Sequence, residues 1–206
     1  MKNTIASALL AAALAWPASA PGQTKAELRG AMRRLWIDHV TWTRLFIVSA
    51  AANLPDKEAT TNRLLQNQTD IGNAVGAIYG KAGGDKLTTL LRDHILIAAD
   101  LVGAAKAGNT ARVDSLNKKW GGNADEISVF LNSANPKNWP TATLKSLMHT
   151  HLDQTLAEAT HQLKGDYASS VKDYDAIEKH ILVMADALSE GIIAQFPQKF
   201  TGDKGP

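Results

Sequence analysis

Apolar residues recur every three or four positions along almost the whole chain after residue 20, and no stretch alternates long enough to make a strand. The spacing predicts six helices. The first covers 24–52. It opens on Thr24-Lys25-Ala26-Glu27, a capping-box pattern, and carries Leu28, Met32, Leu35, His39, Thr43, Phe46 and Ala50 on its inner stripe. Asn53-Leu54-Pro55-Asp56 breaks it, and Asp56 is placed to cap the next. The second covers 57–79, with Leu64, Ile71, Ala74 and Ile78 inward. Gly80 to Gly84 reads as a turn, and the third helix covers 85–107 with Leu87, Leu91, Ile95, Ala98 and Val102 inward. Gly108-Asn109 ends it. The fourth covers 110–132, and the link through Asn135-Pro136 and Trp139-Pro140 is the longest non-helical one. The fifth covers 141–164, and Gly165-Asp166 leads into the sixth, 167–195. Connections this short favour antiparallel neighbours. The expected fold is all-α, an antiparallel six-helix bundle forming a single domain over 21–206.

The chain also matches itself. His94-Ile95-Leu96-Ile97-Ala98-Ala99-Asp100 of helix three resembles His180-Ile181-Leu182-Val183-Met184-Ala185-Asp186 of helix six at an offset of 86. Leu64 to Asp70 faces Leu147 to Asp153 at an offset of 83. Trp36, His39, Phe46 and Ser49 face Trp120, Asn123, Phe130 and Ser133 at 84. Three matches in the same order point to a tandem duplication of a three-helix unit, with pseudo-repeats over about 24–107 and 110–195. Equivalent positions would then converge near a pseudo-twofold axis.

Residues 1–20 read as a targeting segment. Lys2 gives a positive start, Ile5 to Ala15 an apolar stretch, and Ala18-Ser19-Ala20 a small-residue cleavage pattern, with Pro21 an awkward residue after the cut. The apolar stretch is shorter than the roughly 20 residues that span a bilayer, and no later segment reaches that length. A signal peptide over 1–20 implies a protein exported to a bacterial periplasm or secreted, with no membrane span in the mature chain. Composition narrows the classes further. With 45% apolar residues the 206-residue chain can bury a sizeable core. A net charge of +2, with no long Lys/Arg run, argues against nucleic-acid binding by bulk charge. The absence of cysteine removes disulfides, thiol catalysis, Fe–S clusters and Cys-type zinc sites. No Gly-Lys-Ser/Thr phosphate loop and no nucleophile elbow occur, so no nucleotide cofactor is expected.

The chemistry-bearing residues are histidines. Of six, His39, His94, His151 and His180 fall on or beside apolar stripes of helices one, three, five and six, whereas His149 and His161 point off the His151 stripe. A polar group left unpaired in a core costs roughly 1–3 kcal/mol, so inward imidazoles need partners, and a metal ion is one. At a rise of about 1.5 Å per residue, His39 stands about 22 Å into its helix, and His94 and His151 about 14–16 Å into theirs. In an up-down bundle those three helices run parallel, and a small stagger brings the rings level. Asp38 and Asp93 adjoin His39 and His94 in sequence but do not share their faces. Glu158 shares the face of His151, and Asp70 is a further ligand or orienting candidate. Glu158-Ala159-Thr160-His161 has the Glu-x-x-His spacing of di-iron bundles, but it occurs once where those proteins carry it on two helices. Only Met32, Met148 and Met184 are available for a thioether site. Neutral imidazoles with carboxylate or amide support therefore point to Cu(II) or Zn(II). The amide-rich run Leu65 to Asn73 suits hydrogen bonding across the bundle, and Trp36, Trp42, Trp120 and Trp139 suit core packing.

The stretch Leu35-Trp36-Ile37-Asp38-His39-Val40-Thr41-Trp42-Thr43-Arg44, with Leu64 to Ala74 and the closing Gly191-Ile192-Ile193-Ala194-Gln195-Phe196-Pro197, resembles an uncharacterised family of exported bacterial helical proteins. The resemblance covers most of the chain. Some relatives carry labels such as glycosyltransferase or acetylglutamate kinase. Both are sheet-based enzyme classes, for which this sequence offers neither strand nor nucleotide loop, and the family transfers no catalytic residues.

Two readings follow. One is an exported bundle that binds copper or zinc through His39, His94, His151 and His180, with Glu158 and Asp70 completing or orienting the site, for storage or delivery. The other is a non-catalytic module that binds a protein or small molecule, its polar core serving structural hydrogen bonds. An enzyme is the least favoured class.

Overall fold

A computed structural model describes residues 22–201, so the targeting segment read from residues 1–20 lies outside the described residues. Six helices account for nearly all of them: α1 (Lys25–Ala52), α2 (Lys57–Tyr79), α3 (Lys81–Lys106), α4 (Thr110–Ala134), α5 (Thr141–Lys164) and α6 (Tyr167–Gln195). A single turn, Pro197–Lys199, follows. No strand occurs among the described residues; the one bridge joins Thr24 to Thr201 and ties the two ends together. No helix among them is long and apolar enough to cross a membrane.

The helix boundaries follow local chemistry. Thr24 accepts from the Glu27 amide while the Glu27 carboxylate accepts from Thr24, the capping box expected at the start of α1. Asn53 stops the helix in the left-handed conformation. Asp56 precedes α2 but does not cap it with its side chain, which instead accepts from the Ser49 hydroxyl at 2.8 Å. The expected five-residue turn over Gly80 to Gly84 is in fact one residue. Gly80 alone, at φ +91°, separates α2 from α3, and Gly83 and Gly84 are helical. Gly84 serves packing: a Cβ there would stand 2.5 Å from the Gly72 carbonyl oxygen and 2.8 Å from the Gly76 Cα. Here α2 and α3 touch backbone to backbone.

Each helix packs on the next and α6 returns to α1, closing a ring. Across its middle α1, α3 and α5 also touch one another. Along α1, Arg33, Thr41 and Arg44 meet Asp186, Tyr174 and Ser170 of α6 in reverse order. The main core runs from Leu28 and Met32 through Ile71, Leu91 and Ile127 to Ile181 and Ile192. A smaller cluster of Phe46, Ile47, Leu64, Ile95, Val102 and Ala159 fills one end.

Candidate functional site: three histidines on the inner helices

The helices that meet in the middle each deliver one histidine. His39 from α1, His94 from α3 and His151 from α5 are all 3% exposed or less. The His39 and His151 ring centres are 5.5 Å apart, and those of His94 and His151 are 6.5 Å apart with the planes nearly parallel at 21°. Tryptophans flank them. Trp36 meets His39 edge-on at 5.7 Å, and Trp120 lies 5.1 Å from His94.

Buried amides hold two of the rings. Asn123 of α4 gives its Nδ2 to the Leu90 carbonyl, which leaves Oδ1 to accept from His94 Nδ1 at 2.8 Å. That fixes the His94 proton on Nδ1 and leaves a lone pair on Nε2. Gln68 of α2 sits 3.3 Å from His39 Nδ1 and donates to the Leu64 carbonyl and the Asn67 side chain. Asn67 in turn donates to the Leu35 carbonyl of α1, so the amide-rich run bonds across the bundle. Several buried atoms here meet no hydrogen-bond partner: His94 Nε2, His151 Nδ1, Gln68 Oε1, Trp36 Nε1 and Trp120 Nε1.

The cluster is neutral. Burial pushes His39 down to about 3, and the neighbouring His94 adds to the shift. Burial pushes His94 down to about 4 against the opposing pull of its Asn123 bond. His151 lies well below its ordinary value, through burial first and then the charges of His39, His94 and His180. Uncharged imidazoles present the lone pairs that metal ions take.

The remaining candidates stand elsewhere. His180 is half-buried, and its Nε2 bonds the Leu147 carbonyl at 2.8 Å. Glu158 is buried but held by Arg44 at 2.6 Å, in a separate polar cluster with Ser170. Asp70 accepts from Gln66 and lies 3.8 Å from Arg63. His149 pairs with Asp125 and His161 with Asp173, both nearer the surface. The structure thus brings three of the four inward histidines together. Gln68 and Asn123 complete the cluster and were not singled out from the sequence as imidazole partners. The self-match carried a signal for them, since it sets Asn123 opposite His39 and Gln68 opposite His151.

At a metal–nitrogen length of about 2.0–2.1 Å, two imidazoles on one ion hold their ring centres about 5–6 Å apart. The 5.5 Å pair falls in that span and the 6.5 Å pair just outside it. As the side chains stand, no group of three or more His, Asp or Glu among the described residues is arranged to hold an ion. Binding therefore requires the rings to turn so that their free nitrogens converge. No family model, no curated protein and no solved structure matches this chain.

Proposed function

We propose that this protein is an exported helical bundle that binds a transition-metal ion, copper or zinc, at its centre for storage or delivery. His39, His94 and His151 supply the imidazoles; His180, Glu158 and Asp70 keep their present partners and take no part. The observation that carries this is the convergence of three neutral buried imidazoles from the three inner helices, with His94 Nε2 and His151 Nδ1 unpartnered. Unpaired nitrogens in a core are costly, roughly 1–3 kcal/mol each, and an ion that takes both lone pairs removes that cost. Asn123 on His94 Nδ1 is the kind of outer partner that fixes a ligand ring with Nε2 free. The duplication belongs to the same reading. It sets His39, Gln68 and His94 opposite Asn123, His151 and His180, and five of those six side chains build the cluster. Export rests on residues 1–20, whose charged start, apolar stretch and small-residue motif read as a signal peptide.

Calorimetric titration of the metal-stripped protein with Zn(II) and copper tests this, beside a His94→Ala, His151→Ala double variant. Saturable binding is expected in the parent and its loss in the variant, with the variant's helicity retained by circular dichroism. Binding no stronger than the double variant's overturns the metal reading and leaves the histidines as structural core groups.

A further inference from the structure

The surroundings of the three histidines bear on which ion they take. Within the main core lies an apolar cavity lined by Met32 of α1, Met148 of α5 and Met184 of α6, together with Trp36, Leu91 and Ile127; none of the three histidines lines it. Those are all the methionines among the described residues, each at most 4% exposed. Two features join the cavity to the histidines. Trp36 lines it and also meets His39 edge-on. Met148 stands three residues before His151 on α5, so the two side chains share a face.

Charge is the second consideration. Asp38 is tied to Arg34 at 3.0 Å, Glu158 is held by Arg44, Asp70 accepts from Gln66, and Asp93 and Asp153 are exposed. None of these five carboxylates contacts an imidazole of the cluster. An ion here keeps its full charge against neutral ligands. The cost of taking an ion out of water grows as the square of its charge, so a divalent ion pays about four times what a monovalent ion of equal size pays. Divalent zinc and copper usually recover that cost in part from an anionic ligand, and none stands at the cluster. Thioethers are soft donors that favour Cu(I).

We infer that the centre selects Cu(I), held by His39, His94 and His151 with the Met148 thioether as an adjoining soft donor. This rests on the metal reading above and narrows it to a monovalent ion.

The test is an oxygen-free titration of the metal-stripped protein with Cu(I) against a chromophoric Cu(I) chelator, with parallel competition titrations for Zn(II) and Cu(II). A single Cu(I) per chain is expected, bound more tightly than either divalent ion by about a hundredfold or more. Met148→Leu conserves volume and is expected to weaken Cu(I) by about tenfold or more while leaving Zn(II) unchanged. X-ray absorption at the copper edge is expected to show both nitrogen and sulfur neighbours. If Zn(II) or Cu(II) binds more tightly than Cu(I), and His151→Ala or His151→Gln abolishes that binding, the preference for Cu(I) is overturned while the metal centre stands. Failure of all three ions to bind overturns both. Cu(I) binding without sulfur scattering, and insensitive to Met148→Leu, overturns the thioether's part.

Discussion

A neutral imidazole carries one donor and one acceptor, and a core that buries it must answer both. His94 is answered on Nδ1 by Asn123 and left open on Nε2. The same burial sets how stability depends on pH. The folded values of His39 and His94 lie near 3 and 4, against 6.5 in the unfolded chain. Their contribution is therefore complete above about pH 6.5 and is lost as pH falls toward 4, because the unfolded chain takes up protons first. At one pH unit below 6.5 each costs about 1.4 kcal/mol, or about 3 kcal/mol for the two. Glu158 has the opposite sign. Burial raises its carboxyl to about 7, with Arg44 pulling it down and Asp173 adding to the rise. Its contribution is complete below about 4.5 and is lost as pH climbs through 7. Thermal melts of the metal-free protein should fall by roughly 2–5 °C between pH 7.5 and 5.5, because Glu158 offsets part of the loss from the histidines. Glu158→Gln should steepen that fall to roughly 5–10 °C, since it removes the group that offsets it. A Glu158→Gln protein whose melting temperature is flat across this range would show that the histidines are not held neutral.

Helix ends were legible because caps and breakers act within a few residues. Thr24-Lys25-Ala26-Glu27 and Gly165-Asp166 mark boundaries in the sequence that the structure repeats. Gly84 was not legible, because a glycine that ends a helix and one that lets two helices touch look alike in one sequence. The distinction can be measured. Gly84→Ala forces a methyl group against the α2 backbone and should cost about 1–3 kcal/mol or more. Gly30→Ala, on the exposed side of α1 with nothing within 4 Å of its Cβ, should stabilise by about 0.5–1 kcal/mol. Chemical denaturation of both variants checks the pair. A Gly84→Ala protein as stable as the parent would mean that α2 and α3 do not approach this closely.

At the scale of the molecule, the closed ring makes α1, α3 and α5 the inner helices, and the centre is assembled from all three. No one helix holds it: His39 comes from α1, His94 from α3 and His151 from α5. An ion bound there crosslinks the whole bundle. At a free ion concentration a hundred times the dissociation constant, it should stabilise the fold by about 2.7 kcal/mol. For a domain of this size that raises the melting temperature by roughly 5–10 °C. The shift should vanish in the His94→Ala, His151→Ala variant, and a shift retained there would place the binding at surface groups.

Periodicity, caps and composition by themselves determined the all-α fold, the six helices and the inward turn of His39, His94 and His151, because each depends on residues a few positions apart on one helix. Which inward residues meet depends on how the helices close into a ring, and that is set by packing between elements distant in sequence. Only the tertiary structure therefore separated His180, bonded to the Leu147 carbonyl, and Glu158, claimed by Arg44, from the cluster. It alone brought Gln68 and Asn123 onto the imidazoles and gathered the three methionines around one cavity. Helical spacing fixes which way a side chain faces; the partner it meets there is chosen by a neighbour that the spacing does not specify.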